Sequence, residues 1–299
     1  MKDLSLRGVL PFLLAATACS PALVGLTSPC EAEGPLVHLP REIHESSGVV
    51  ASPTHPGVFW THNDSGGRPE LFAVDANGML LGRVAVPGAR NRDWEDLAVG
   101  PCGDGHCLYI GDVGDNREVR ADPAIYRVSE PSPGDEATTT AHRFPLRFPH
   151  GPRDVEAIYL LPGERLFLVT KGRNHRVEVY RVPAPLDRPG EPLELERIQR
   201  LTRISPALPR HVTGGASTPE GGLVALRTYE TLALYRPDAE GRLDEISGTR
   251  VNLRHLREPQ GEAVALLPGN RIVLTSEAGM FGDIPTMAFL TCLGMPVEW

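Results

Sequence analysis

The chain has 299 residues, a formal net charge of −8 and no basic run, which excludes a nucleic-acid surface. Its 31 glycines and 29 prolines punctuate the whole length, the composition of an all-β domain rather than a low-complexity one. No stretch of roughly eighteen apolar residues is present to form a transmembrane helix.

In chain order, Lys2 and Arg7 flank a short apolar core over 8–16. This pattern predicts an export signal over 1–19. Ala16-Thr17-Ala18 before Cys19 resembles a bacterial lipobox, although Ala16 stands where leucine is usual. The reading is lipidation at Cys19, a linker over 20–34 and one domain over 35–299. Plain secretion after nearby cleavage is the alternative. The expected location is therefore periplasmic or outer-membrane lipoprotein, touching membrane only through the lipid, and monomeric.

Five similar segments follow. Their first strands are expected over 47–51, 96–100, 156–161, 214–218 and 262–267, each ending in a Pro/Gly turn. Short apolar second strands follow over 58–61, 108–110, 166–169, 223–226 and 272–275. Third strands fall over 71–74, 124–128, 177–182, 232–236 and 286–291. More polar fourth strands fall over 80–86, 138–146, 195–201 and 246–253, with Asn77-Gly78 a hairpin signal in the first repeat. No fourth strand follows the third in the last repeat, and the unassigned run 35–39 is left to complete it.

A repeat of roughly 40–60 residues built from short strands specifies a β-propeller, here with five blades of four antiparallel strands. Six blades are the alternative count, and a β-sandwich the alternative fold. Four cysteines remain beside Cys19, in an oxidising compartment. The repeat pairs Cys102 with Cys107 across one hairpin and Cys30 with Cys292 across the ring closure.

First strands of a propeller line the central channel. Aligned at their starts stand Ser47, Asp96, Glu156, Gly214 and Glu262, with Glu45, Glu95, Asp154 and Gln260 just upstream. Converging Asp96, Glu156 and Glu262 are oxygen ligands suited to a hard cation such as Ca2+. Second-strand ends add Asn63, Asp64, Asp112, Lys171, Arg227 and Glu277 as candidate ligand-binding residues. Lys171 and Arg227 suit an anion beside the cation, or a metal-free ring of ion pairs. A purely structural role for all of them is the competing reading. Trp94 is expected to pack between blades, and His62 to be structural, since no second His or Cys stands at ligand spacing.

The runs Trp60-Thr61-His62-Asn63-Asp64-Ser65-Gly66, Arg92-Asp93-Trp94-Glu95-Asp96 and Gly111-Asp112-Val113-Gly114-Asp115-Asn116 carry a family likeness, with Arg227-Thr228-Tyr229 and Gln260-Gly261-Glu262. Together they resemble exported bacterial β-propeller proteins, often lipoproteins, loosely grouped with phytase-like or esterase-like propellers. That resemblance implies a propeller over about 36–292 and, distantly, calcium and phosphomonoester hydrolysis. Lys and Arg are expected to be few near the channel, a departure from true propeller phytases.

The functional expectation is an envelope ligand-binding or interaction module whose partner is a small molecule or envelope protein. The alternative is a Ca2+-assisted hydrolase of phosphoester or lactone-type substrates. No nucleophile–base pair is visible in the chain, which favours the binding module.

Overall fold

The computed structural model describes residues 29–201, 210–279 and 282–299. The signal and the lipidation site at Cys19 lie outside the described residues. Among those described, no helix is long and apolar enough to cross a membrane.

Five small sheets make five blades, and the fold is a five-bladed β-propeller. Blade one is Ser46–Ala51, Phe59–Asn63, Glu70–Val74 and Leu80–Ala85. Blade two is Trp94–Cys102, Gly105–Asp112, Ala124–Ser129 and His142–Arg147. Blade three is Val155–Leu161, Arg165–Thr170, Glu178–Arg181 and Glu196–Arg200. Blade four is Val212–Ser217, Val224–Thr228, Thr231–Pro237 and Leu243–Glu245. Blade five contributes Gln260–Leu267, Arg271–Glu277 and Thr286–Thr291.

The N-terminal segment completes blade five. Val37–His38 pairs with Thr286 and Met287, and Glu31–Ala32 pairs with Leu290 and Thr291, both antiparallel. The closing strand is thus in two pieces, and the first lies within the stretch read as linker. A Cys30–Cys292 disulfide fastens the closure. By the chain-entropy argument, cross-linking residues 262 apart stabilises the fold by about 5 kcal/mol. Cys102 and Cys107 are joined across the first hairpin of blade two.

Each inner strand touches the inner strands of both neighbouring blades, so the ring is closed. Five apolar clusters fill the five interfaces. Side chains alternate across each strand: Ala157 and Tyr159 face blade four, while Ile158 and Leu160 face blade two. Strands buried on both faces read as unbroken apolar runs, such as Arg165–Thr170 with Leu166 to Val169 fully buried.

The outer strands depart from expectation. In blade four, residues 246–253 do not run as one strand. The Ile246 N–H still reaches the Leu234 carbonyl, but Gly248 turns at φ 83° and Thr249 Oγ1 donates back to the Ile246 carbonyl. Leu243–Glu245 and Val251–Asn252 take the edge on either side of that turn. In blade two, Ala137 and Thr138 pair with Ala85 of blade one instead of extending their own strand. Edge positions have one sheet neighbour, so local turn chemistry outweighs the ladder there.

Candidate functional site

The inner strands carry a feature that no local pattern announces. In all five blades the pairing of first and second strands slips by one residue near the start: between Ser46 and Val49, Trp94 and Asp96, Val155 and Ala157, Val212 and Gly214, and Gly261 and Ala263. A bulge inserts one unpaired residue and re-aims its side chain. Counting back from the restored pairing, the bulged residues are Gly48, Glu95, Glu156, Thr213 and Glu262.

This register corrects the alignment made from the sequence. Glu156 and Glu262 hold equivalent places, but the third is Glu95, not Asp96. One residue of slip turns a side chain to the other side. Asp96 is fully buried, and its carboxylate accepts backbone N–H bonds from Leu97 (2.8 Å), Ile158 (2.8 Å) and Gly215 (3.0 Å). It ties three blades together and is absent from the carboxylate groups close enough to share an ion.

Two such groups overlap at Glu95. Asp64, Asp93 and Glu95 each offer an oxygen within 4.8 Å of the others, as do Glu95, Asp154 and Glu156. Two ligands of one Ca2+ ion lie at most about 5 Å apart, so both spacings suit a single ion. The first group has no protein donor: among the described residues no hydrogen bond or ion pair reaches the carboxylates of Asp64, Asp93 or Glu95. Asp64 Oδ1 is buried and unpartnered, and Glu95 is 5% exposed. Asp154 is 2% exposed; its Oδ1 accepts the Asp115 N–H at 3.0 Å and its Oδ2 is unpartnered. In the second group Lys171 Nζ binds Glu156 Oε1. Gly114 leaves room for the first group, because a Cβ there would lie 2.0 Å from Glu95 Oε1 and 2.6 Å from the Asp93 carboxylate and displace both.

The other candidates divide. Glu262 and Glu277 are bridged by the Gln260 side-chain amide, at 2.7 Å to each. Arg227 is fully buried and stands away from the acid groups, paired with Glu258 at 2.8 Å and donating to the Ala263 carbonyl at 2.9 Å. Asp112 accepts from the Arg120 guanidinium at 2.8 Å and the Asp93 N–H at 3.0 Å. Asn63 holds the Glu45 N–H and the Glu42 carbonyl. Arg227, Asp112 and Asn63 therefore shape the walls. Trp94 packs in the interface of blades one and two, edge-on to His62 with ring centroids 5.5 Å apart.

Burial and crowding govern the charges. Burial, then the charges of Asp93 and Glu277, pushes Asp64 up to about 9. Burial raises Glu156 to about 8 although Lys171 opposes it. Glu277 is pushed up to about 7 by burial and by Glu45. Glu95 and Glu262 lie well above the carboxylate range, again chiefly through burial. Burial alone would lower Lys171, but Glu156 and Glu95 raise it and keep it charged. Acids raised this far are largely protonated at neutral pH, Glu277 only in part.

Sequence reasoning placed Glu95 and Asp154 beside the aligned positions without choosing them, and it gave Asp93 no role. Tyr229 was also passed over. It stands half-buried among these acids; burial and the charge of Glu262 raise its phenol. The signal available for it was its place in Arg227-Thr228-Tyr229, at the end of a second strand.

No family model matches the chain, and no curated protein matches it. Solved structures resemble it distantly. A PQQ-bound aldose sugar dehydrogenase from Streptomyces coelicolor is 13% identical over 88% of this chain and 97% of its own, at TM-score 0.49. A glucose dehydrogenase is 11% identical over 86% and 99%, at TM-score 0.49. A gluconolactonase from Xanthomonas campestris is 12% identical over 82% and 71%, at TM-score 0.46. Likeness at this level is silent on chemistry.

Proposed function

We propose that this propeller is an exported, lipid-anchored envelope protein that binds a hard divalent cation, of the Ca2+ type, at the mouth of its channel and presents it to a ligand. The observation that carries the reading is the Asp64–Asp93–Glu95 group: three carboxylates within 4.8 Å that receive no hydrogen bond or ion pair from the described residues. Unpaired acids crowded this closely repel one another, and a divalent ion with oxygen preference removes that repulsion. Lys171 already serves the neighbouring group through Glu156, so one ion is the expected stoichiometry.

The resemblance to phytase-like and esterase-like propellers supports export and calcium in the same direction. Calorimetric titration of metal-free protein with CaCl2 tests the reading. It predicts one site, release of protons on binding, and loss of the site in Glu95→Gln. Absence of heat and of any thermal shift at millimolar CaCl2 would remove the cation from the account.

Hydrolysis is a second reading, favoured by the buried, unpartnered Asp64 Oδ1 within the group. Asp64 would be the acceptor of a proton from water, and an ion held chiefly by Asp93 and Glu95 would supply Lewis-acid activation, with no protein nucleophile needed. Turnover of a phosphoester and lactone panel that disappears in Asp64→Asn, with Ca2+ still bound, separates this enzyme from a binding module.

A further inference from the structure

The loops of blades two and three meet over the Glu95–Asp154–Glu156 group. The Asp115 N–H bonds the Asp154 side chain, and the Lys171 N–H bonds the Asp154 carbonyl at 2.9 Å. Both loops therefore start at the same buried acid. They touch again further out, where His175 Nε2 lies 3.0 Å from Glu118 Oε2. The blade-two loop is pinned: Asp115 accepts the Arg120 N–H at 2.6 Å, and the Arg120 guanidinium bonds the Gly114 carbonyl at 2.9 Å.

Four arginines ride on these loops: Arg120 is buried in ion pairs with Asp112 and Asp122, Arg176 is exposed at the far end of the blade-three loop, and Arg117 and Arg173 stand nearer the acids in sequence. Arg117 is two residues past Asp115, and Arg173 is two residues past Lys171. Two residues span at most about 7 Å, so both stay close to the acid floor. Arg117 is exposed and Arg173 half-buried, and neither pairs with a described acid. The neighbouring acids are committed elsewhere, Glu118 to His175 and Asp122 to Arg92 and Arg120. Arg68, Arg90 and Arg257, on other loops of the same face, are also exposed and without an ion pair among the described residues. Other arginines of this face are paired, Arg92 with Asp122, Arg153 with Glu178 and Arg254 with Glu230, so the free ones are a subset of the loop cations. The mouth thus has an acid floor beneath an arginine rim, against the expectation that such cations would be few there.

From this placement we infer that Arg117 and Arg173 form an oxyanion subsite, and that the ligand of the mouth is anionic, its charged group lying between the two guanidiniums and the bound cation. The inference rests on the cation reading and narrows it to ligands bearing a phosphate, sulfate or carboxylate group. Guanidinium suits such groups because its N–H fork matches two oxygens at once. Lys171 and Arg227 do not fill this role, since each is buried against its own glutamate.

Phenyl phosphate tests it, titrated into wild type in CaCl2 and separately in EDTA, with phenol as the neutral control. Phenyl sulfate and benzoate run in parallel to identify the preferred oxyanion. Arg117→Glu with Arg173→Glu is expected to weaken phenyl phosphate at least about tenfold while Ca2+ binds as tightly as before or tighter. Arg117→Gln with Arg173→Gln, which keeps the surface polar and the fold unstrained, is expected to give a smaller loss in the same direction. Phenol binding as well as phenyl phosphate, or both double variants matching wild type, overturns the subsite. Failure of Ca2+ to bind sinks the cation reading alone, because the EDTA titration still reports on the arginines.

Discussion

Glu178 in blade three and Glu95 at the channel mouth are both buried glutamates, and the fold treats them in opposite ways. Glu178 receives Arg153 at 3.2 Å, Arg197 at 3.0 Å, Arg200 at 3.1 Å and the Tyr180 hydroxyl at 2.6 Å. Burial works to raise its pKa, but the bonds from Tyr180, Arg200 and Arg153 win and hold it below the ordinary value. Among the described residues Glu95 has no donor; burial, Glu156 and Asp64 all raise it, and only Lys171 opposes them. Glu178 is supplied with its partners by the fold, whereas Glu95 receives none from the described residues. Asp96, the next residue along the same strand, differs from Glu95 in its partners: three backbone N–H groups bond its carboxylate, although burial still raises it well above the ordinary value.

The largest effect is expected from Asp96→Ala. It strands three buried N–H groups at about 1–3 kcal/mol each, a total of about 3–9 kcal/mol in urea denaturation. A loss below about 1 kcal/mol would erase the distinction between Asp96 and Glu95. Glu178→Ala is expected to cost about 3 kcal/mol, since Arg153 and Tyr180 lose their buried acceptor. Glu95→Gln should behave differently. Metal-free stability at neutral pH should stay within about 1 kcal/mol of wild type, because Glu95 already holds a proton there, while Ca2+ affinity falls at least roughly a hundredfold in calorimetry.

A pH series probes the same contrast. Asp64 and Glu156 have folded values near 9 and 8, above their ordinary 3.8 and 4.5, so the metal-free native state binds more protons than the unfolded chain between those limits. Their contribution is complete below about pH 4 and is lost as pH rises toward 9. Melting temperature in EDTA should therefore fall over this range, and saturating Ca2+ should flatten the fall. An EDTA curve that rises toward pH 9 would show that these acids are not crowded. Gly114→Ala should have the smallest effect. Its Cβ would push the Glu95 and Asp93 carboxylates apart and weaken Ca2+ about tenfold, leaving urea stability within about 1 kcal/mol of wild type.

What was legible in the chain was whatever repeats locally. Unbroken apolar runs between Gly/Pro turns marked the second strands of all five blades, because a strand buried on both faces must be largely apolar. The ring closure was readable too, since a last blade short of one strand and an unassigned run at the other end leave one economical pairing. The choice of Glu95 over Asp96 was not readable. It depends on a bulge, which exists only in the pairing of two strands, and a shift of one residue exchanges a structural carboxylate for an unpartnered one. The relation proposed for Arg117 and Arg173 was invisible for a similar reason: they stand 56 positions apart, and only the structure shows that their two loops both bond to Asp154. Composition and period determine which residues pair into blades; register and loop contact, which are tertiary, decided which of the many acids and arginines face each other across the mouth.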